Sequence, residues 1–194
     1  MAELHDGAPA RNNNLTPIPK EADGSSPILG VDPGIAGAIA ALYPDGTILA
    51  DDIPTVGGSV DVDTLVRRMR ELAPRLAIIE KAQAMPRQGV VSVFKYGTAF
   101  GALCAVTAIC EIPTHLVSPR KWKTHFGLDA DKEKSRALAI RLWPGCGYFS
   151  RVKDHGRSEA ALIARYGVET IATNFATPSG KGEGGRLLPP TTHR

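Results

Sequence analysis

Short apolar runs separated by turn residues come first in this chain, and helical stripes separated by single strands follow. Residues 28–31 (Ile-Leu-Gly-Val) are an apolar run that ends at Asp32-Pro33-Gly34. Residues 36–43 are again small and apolar, and Pro44-Asp45-Gly46 is a strong turn signal. Residues 47–53 continue as a strand, so this part reads as a three-stranded meander. Residues 61–72 then carry Val62, Leu65, Val66, Met69 and Leu72, a helical stripe with Asp61 or Asp63 near its start. Leu76-Ala77-Ile78-Ile79 is a buried strand running into Glu80. Residues 90–110 are a long Ala- and Gly-rich apolar segment whose length predicts a buried helix. Residues 113–117 read as a strand ending at Ser118-Pro119, and residues 132–142 and 157–166 read as helices, the last stopping at Gly167.

The order βββ-α-β-α-β-α-α predicts an α/β fold: a mixed five-stranded sheet, antiparallel meander plus parallel strands, flanked by helices. The folded unit is expected over 27–173. The Asn-, Pro- and Ser-containing 1–26 and the Gly- and Pro-rich 174–194 are expected to be disordered tails. The formal net charge of +3 neither demands nor excludes a nucleic-acid partner, so the placement of the charges must decide it. Cys104, Cys110 and Cys146 have no metal-ligand spacing. With no secretory signal visible, they are expected to be reduced core residues of a cytoplasmic protein. No stretch is expected to span a membrane.

Chemistry is expected where acids end apolar strands. Asp32 follows residues 28–31 and Glu80 follows residues 76–79. If these strands are parallel neighbours, both carboxylates emerge at one sheet edge. Paired anions in a partly dry site raise each other's pKa, and a bound cation removes that cost. Mg²⁺ prefers oxygen donors, and Mn²⁺ can substitute. A third acidic cluster, Asp154-His155-Gly156-Arg157-Ser158-Glu159, opens the last helix. There Asp154 is either an N-cap or an inward acid, His155 is a ligand, a proton carrier or a solvated cap residue, and Glu159 precedes an apolar stretch that would bury it. Three or four of these acids fit a two-metal phosphodiesterase with ions about 3.5–4 Å apart.

Residues 28–34 (Ile-Leu-Gly-Val-Asp-Pro-Gly), residues 78–83 (Ile-Ile-Glu-Lys-Ala-Gln) and residues 153–164, together with Pro119-Arg120-Lys121-Trp122-Lys123, resemble the acidic motifs and a basic segment of RuvC-type Holliday junction resolvases, in their phage, bacterial and chloroplast branch. The resemblance implies a ribonuclease-H-like fold over about residues 28–167. It also implies a homodimeric, magnesium-dependent endonuclease that makes symmetrical cuts across a four-way DNA junction. It makes Asp32, Glu80, Asp154 or His155, and Glu159 the catalytic and metal-binding set. One departure stands out: many RuvC proteins place the last two acids three apart, whereas Asp154 and Glu159 are five apart.

Basic residues near the acids are candidate phosphate contacts: Arg120, Lys121, Lys123, Lys153 and Arg157. Trp122 is expected to pack on the core while its neighbours face outward. Residues 81–97 are the expected specificity loop, with Arg87 and Gln88 for base edges and Phe94 for stacking, although Phe94 fits a core position equally well. The 90–110 helix, with Gly97 and Gly101 four apart, is a candidate dimer surface. The rival readings are a nuclease acting on other branched DNA or structured RNA, an inert DNA-binding module, and a phosphotransferase of the sugar-kinase and actin class. The chain is too short for the second copy of the fold that the last requires.

Overall fold

The computed structural model describes residues 15, 26–34, 36–81 and 89–172. The expected tails therefore lie, apart from residues 15 and 26, outside the described residues, as do Arg87 and Gln88. The meander consists of β1 (Ile28–Asp32), β2 (Ala38–Leu42) and β3 (Ile48–Asp52). A small hairpin, β4 (Thr55–Val56) with β5 (Ser59–Val60), leads into α1 (Val62–Leu72). Next come β6 (Leu76–Glu80), α2 (Val90–Ile109) and β7 (Thr114–Val117). The chain closes with α3 (Pro119–His125), α4 (Lys132–Leu142) and α5 (His155–Gly167), the last continuing into a wider turn over Val168–Ala172. The main sheet has the order β3-β2-β1-β6-β7. Its first two pairings are antiparallel. β1–β6 and β6–β7 are parallel.

Strand parity sorts the core into two layers, because successive side chains leave opposite faces of a sheet. Ile28, Ala38, Ala40, Ile78 and Val117 face α5, Trp122, Trp143 and Phe149. Leu29, Val31, Ile39, Ala77 and Ile79 face Leu65 and Met69 of α1 and Leu103 and Val106 of α2. Burying one such Leu, Ile or Val contributes about 1.5–3 kcal/mol, so both faces are strongly specified. Asp61 caps α1, accepting from the Thr64 backbone N–H at 3.1 Å. Arg68 of α1 donates through two nitrogens to Asp51 of β3, at 3.0 and 2.7 Å, and both side chains are buried.

Four features differ from the sequence expectation. The 118–125 segment, to which no element was assigned beyond the strand end at Ser118-Pro119, is a helix: Ser118 is its N-cap, accepting from the Lys121 N–H at 3.4 Å, with Pro119 in the first turn. The hairpin at 55–60 was not anticipated, because two-residue strands carry no periodicity. The last helix begins at His155, two residues before the expected start at 157.

The fourth difference concerns α2, which is a helix as expected but not a buried one. Ala99, Leu103, Val106 and Thr107 are its buried residues, whereas Val90, Val91, Phe94 and Ile109 are exposed. It is also long and apolar enough, by length and composition, to cross a membrane, contrary to the expectation that no segment would be. Leu103 and Val106 on its buried face tie α2 to the sheet. The three cysteines are half-buried free thiols that pack against the core rather than within it.

α5 crosses β1 directly over Gly30. A Cβ added there would stand 2.1 Å from the Ala160 carbonyl oxygen and 2.3 Å from the Ala164 nitrogen, with backbone on the receiving side. Gly30→Ala is expected to destabilise the fold by about 3 kcal/mol, the upper end of the overpacking range, read as a lower urea midpoint at unchanged slope. An unchanged midpoint would mean that α5 has room to move.

Candidate functional site

Register and parity bring the acids together. β1 and β6 are parallel neighbours with Val31 opposite Ile79, so the next residues, Asp32 and Glu80, emerge at the same sheet edge. Both have the parity of Ile28 and Ile78, which face α5. α5 supplies Glu159, buried at 7% exposure in its first turns. Burial pushes the Asp32 carboxyl well above its ordinary range, and the charges of Glu159 and Glu80 push it further. Lys132 and Lys123 oppose that rise. Glu80 is also raised, chiefly by burial and then by Glu159, against the hydrogen bond from Trp122 and the charges of Lys123 and Lys132.

Each outer acid has a partner. The Trp122 indole N–H donates to Glu80 Oε2 at 2.6 Å. Lys123 Nζ donates to Glu159 Oε1 at 2.8 Å, and Ser135 Oγ donates to the same oxygen at 3.5 Å. Tyr96 of α2 also borders the site: burial raises its phenol above the ordinary range, and Glu80, Asp32 and Glu159 add to the shift. Its hydroxyl is a donor group at the edge of the acid cluster. Sequence reasoning left Tyr96, which falls inside the expected 81–97 loop, and Ser135 out of the acid site. Nothing local marks them, since each reaches the acids through tertiary packing.

The third motif divides. Glu159 joins the site, whereas Asp154 turns away to Arg151. It accepts from the Arg151 backbone N–H at 2.8 Å and from the guanidinium at 3.0 and 2.7 Å. Burial opposes ionisation of Asp154, but these bonds together hold its carboxyl below the ordinary range. His155 Nε2 lies 3.4 Å from Glu133 Oε1, and its Nδ1 is buried without a hydrogen-bond partner. Gly156, three residues before Glu159, lies beside Asp32: a Cβ there would meet Asp32 Oδ2 at 3.4 Å and the Ala36 carbonyl at 3.0 Å. The position three before the last acid thus reaches the site but carries no side chain.

Among the candidate DNA contacts, Arg120, Lys121 and Lys153 are exposed. Lys123 is turned inward to Glu159. Arg157 is committed to Asp52 through two bonds of 2.7 and 2.8 Å. Phe94 is 74% exposed on α2, which removes the core reading for it. Trp122 is fully buried, as expected.

Solved structures similar to this chain include two of Thermus thermophilus RuvC and one of a yeast mitochondrial resolvase. Thermus thermophilus RuvC in complex with a Holliday junction substrate is 15% identical, with 73% of this chain and 94% of that chain covered, at a TM-score of 0.53. A second Thermus thermophilus RuvC structure is 18% identical over 73% and 95%, at a TM-score of 0.54. The fold is that of RuvC. The yeast mitochondrial Holliday junction resolvase Ydc2 is 16% identical over 75% and 80%, at a TM-score of 0.46. The sequence matches no family model and no curated protein. The two Thermus RuvC comparisons bear out the expected ribonuclease-H-like sheet and rest on shape, since identity at this level leaves residue roles to the site itself.

The donor set of this site suits a hard divalent cation: its inward acids offer oxygen only, and their mutual repulsion is the cost a cation would remove. Among the described residues no three His, Cys, Asp or Glu side chains stand in ligating geometry. Trp122 and Lys123 hold two of the acids instead. With its pKa raised, Asp32 keeps its proton to higher pH in the folded chain than in the unfolded one. Stability is therefore lost as pH rises from the ordinary value of 3.8 through the raised value. Asp32→Asn is expected to raise the melting temperature of the chelator-treated protein at pH 8, by about 2–4 °C for each kcal/mol of repulsion relieved. The gain should vanish as pH falls to the ordinary carboxylate range. Equal melting temperatures at pH 8 would show that the acids do not oppose one another.

Proposed function

We propose that this chain is a structure-selective endonuclease that resolves four-way DNA junctions by paired, divalent-metal-dependent phosphodiester cleavage. The observation that carries the reading is the convergence of Asp32, Glu80 and Glu159 from β1, β6 and α5 at one edge of a RuvC-like sheet. The Thermus structure of the same fold that holds a Holliday junction supports this choice of substrate.

In this reading Asp32, Glu80 and Glu159 hold Mg²⁺, two ions per site, with Mn²⁺ able to substitute. His155, through its unpartnered Nδ1, is a better fourth donor than Asp154, whose oxygens are engaged by Arg151. When bound, the ions supply an activated water and charge stabilisation at the departing 3′ oxygen. The protein's share is positioning and charge. Asp32 feels the charge of both other acids and would be the ligand common to the donor set. Lys123 and Lys132 offset its negative charge, which otherwise repels a phosphate. Tyr96 offers a neutral donor at the rim. Arg120, Lys121 and Lys153 stand at the surface to meet flanking phosphates, and exposed Phe94 is placed to stack on an opened base.

The partner is expected to be a second copy of the chain. The outward side of α2 also carries exposed Val90, Val91 and Ile109, and nothing lies within 4 Å of a Cβ built at Gly97 or Gly101. Two such faces can approach closely around a two-fold axis matching that of a junction. The reduced thiols suit the cytoplasmic setting we propose.

The decisive test is a substrate panel of a synthetic four-way junction, a three-way junction, linear duplex and a structured RNA, each with Mg²⁺ and with a chelator. The expected result is symmetrical paired cuts in the four-way junction with Mg²⁺ only. Asp32→Asn and Glu80→Gln should each lower cleavage at least about 100-fold, in line with removal of a metal ligand, while junction binding persists. Preferred cleavage of the RNA, or cuts on one arm alone, would overturn the substrate or the two-fold pairing. In a separate salt titration, Arg120→Ala with Lys121→Ala should reduce the slope of log K against log salt by about 0.9 for each phosphate no longer neutralised. An unchanged slope would remove this segment from the DNA interface.

A further inference from the structure

The two tryptophans of this chain use their indole N–H groups differently. Trp143 donates to a backbone carbonyl, that of Gly46, at 3.2 Å, the ordinary way a packed indole satisfies its only donor. Trp122 donates at 2.6 Å to Glu80 Oε2, a carboxylate 42 residues away in sequence. We propose that Trp122 is a positioning residue of the acid cluster, one that fixes the Glu80 carboxylate towards Asp32 before a cation binds and sets Lys123 against Glu159. This rests on the nuclease reading above and names a part of the same site.

Three observations carry it. First, the indole is rigidly placed relative to Glu80. Glu80 pairs with Val117 in the parallel register, and the Lys81 N–H donates to the Val117 carbonyl at 2.8 Å. The next residue, Ser118, caps α3, and Trp122 projects from that helix with no exposed surface. Second, the chemistry of the contact is directional. Indole is a donor with no acceptor, so it favours the ionised carboxylate, engages one oxygen and leaves the other for a cation. Third, the same ring reaches the opposite side of the site. Lys123 Nζ lies 5.1 Å from the Trp122 ring centroid while donating to Glu159 Oε1 at 2.8 Å. One buried ring thus holds Glu80 directly and flanks the lysine that holds Glu159, and its own strand-to-helix junction is pinned to the chain at Glu80. The outer hydrogen bonds of ligating groups commonly tune metal affinity in this way.

The test uses the full chain and Mn²⁺ alone as the probe, titrated by calorimetry. Trp122→Phe removes the donor and part of the ring. Replacement of Trp122 by benzothienylalanine keeps the bicyclic shape and removes only the N–H. Both are expected to weaken Mn²⁺ binding by about 10- to 100-fold, the benzothienyl chain with the parent's melting temperature. If the benzothienyl chain binds Mn²⁺ as tightly as the parent, whatever the phenylalanine variant does, the ring serves packing alone and the inference is overturned. If the parent itself binds no Mn²⁺, the nuclease reading falls and this inference falls with it, a result separable from the first because it appears before any substitution.

Discussion

The passage of α5 across β1 at Gly30 is the contact on which the rest of the molecule depends. Helix backbone lies against strand backbone there, closer than any side chain allows. The small residues Ala38 and Ala40 on the adjoining strand and Ala160, Ala161 and Ala164 on the helix complete the tight seam. That closeness is what carries Glu159 from the last helix down to the edge where Asp32 and Glu80 emerge. With a larger residue at position 30 the helix would ride higher, and the third acid would leave the other two.

Bringing anions together inside a protein is unfavourable, and this fold offsets the cost with fixed partners rather than with solvent. Burial is the largest influence on Asp32 and Glu80, and the neighbouring acids add to it. Against this stand one indole donor, one paired lysine and the field of a second lysine, all brought by α3 and α4. Asp154 shows the contrasting solution: it too is buried, but a guanidinium and a backbone N–H satisfy it, and it takes no part in the cluster. Two acids five residues apart therefore meet different fates because one begins a helix beside an arginine and the other faces the sheet.

The two broad surfaces divide the labour of the proposed activity. α3 turns Trp122 and Lys123 inward to the acids and leaves Arg120 and Lys121 exposed. α2 presents an apolar side to solvent and keeps Tyr96 close to the site through its other side. A helix that borders the acid cluster and also carries the proposed self-association surface would tie dimer formation to the geometry of the site.

The layered α/β architecture was legible from residue order, because apolar runs of strand length and helical stripes dictate which faces must be buried. Asp32 and Glu80 were marked in the same way, since an acid ending a fully apolar strand has few ways to be accommodated, and the apolar residues after Glu159 picked it out. The remainder emerged only from packing. The turning of Asp154 away from the cluster depended on the Arg151 side chain. The inward turn of Lys123, the commitment of Arg157 to Asp52 and the approach of Tyr96 and Ser135 depend on helices meeting across long stretches of chain. The exposure of α2 could not be read from its composition, because an apolar helix looks alike whether its partner lies in the same chain or outside it. Local patterns fix what each segment must bury. Only the completed packing fixes which charged groups then face one another.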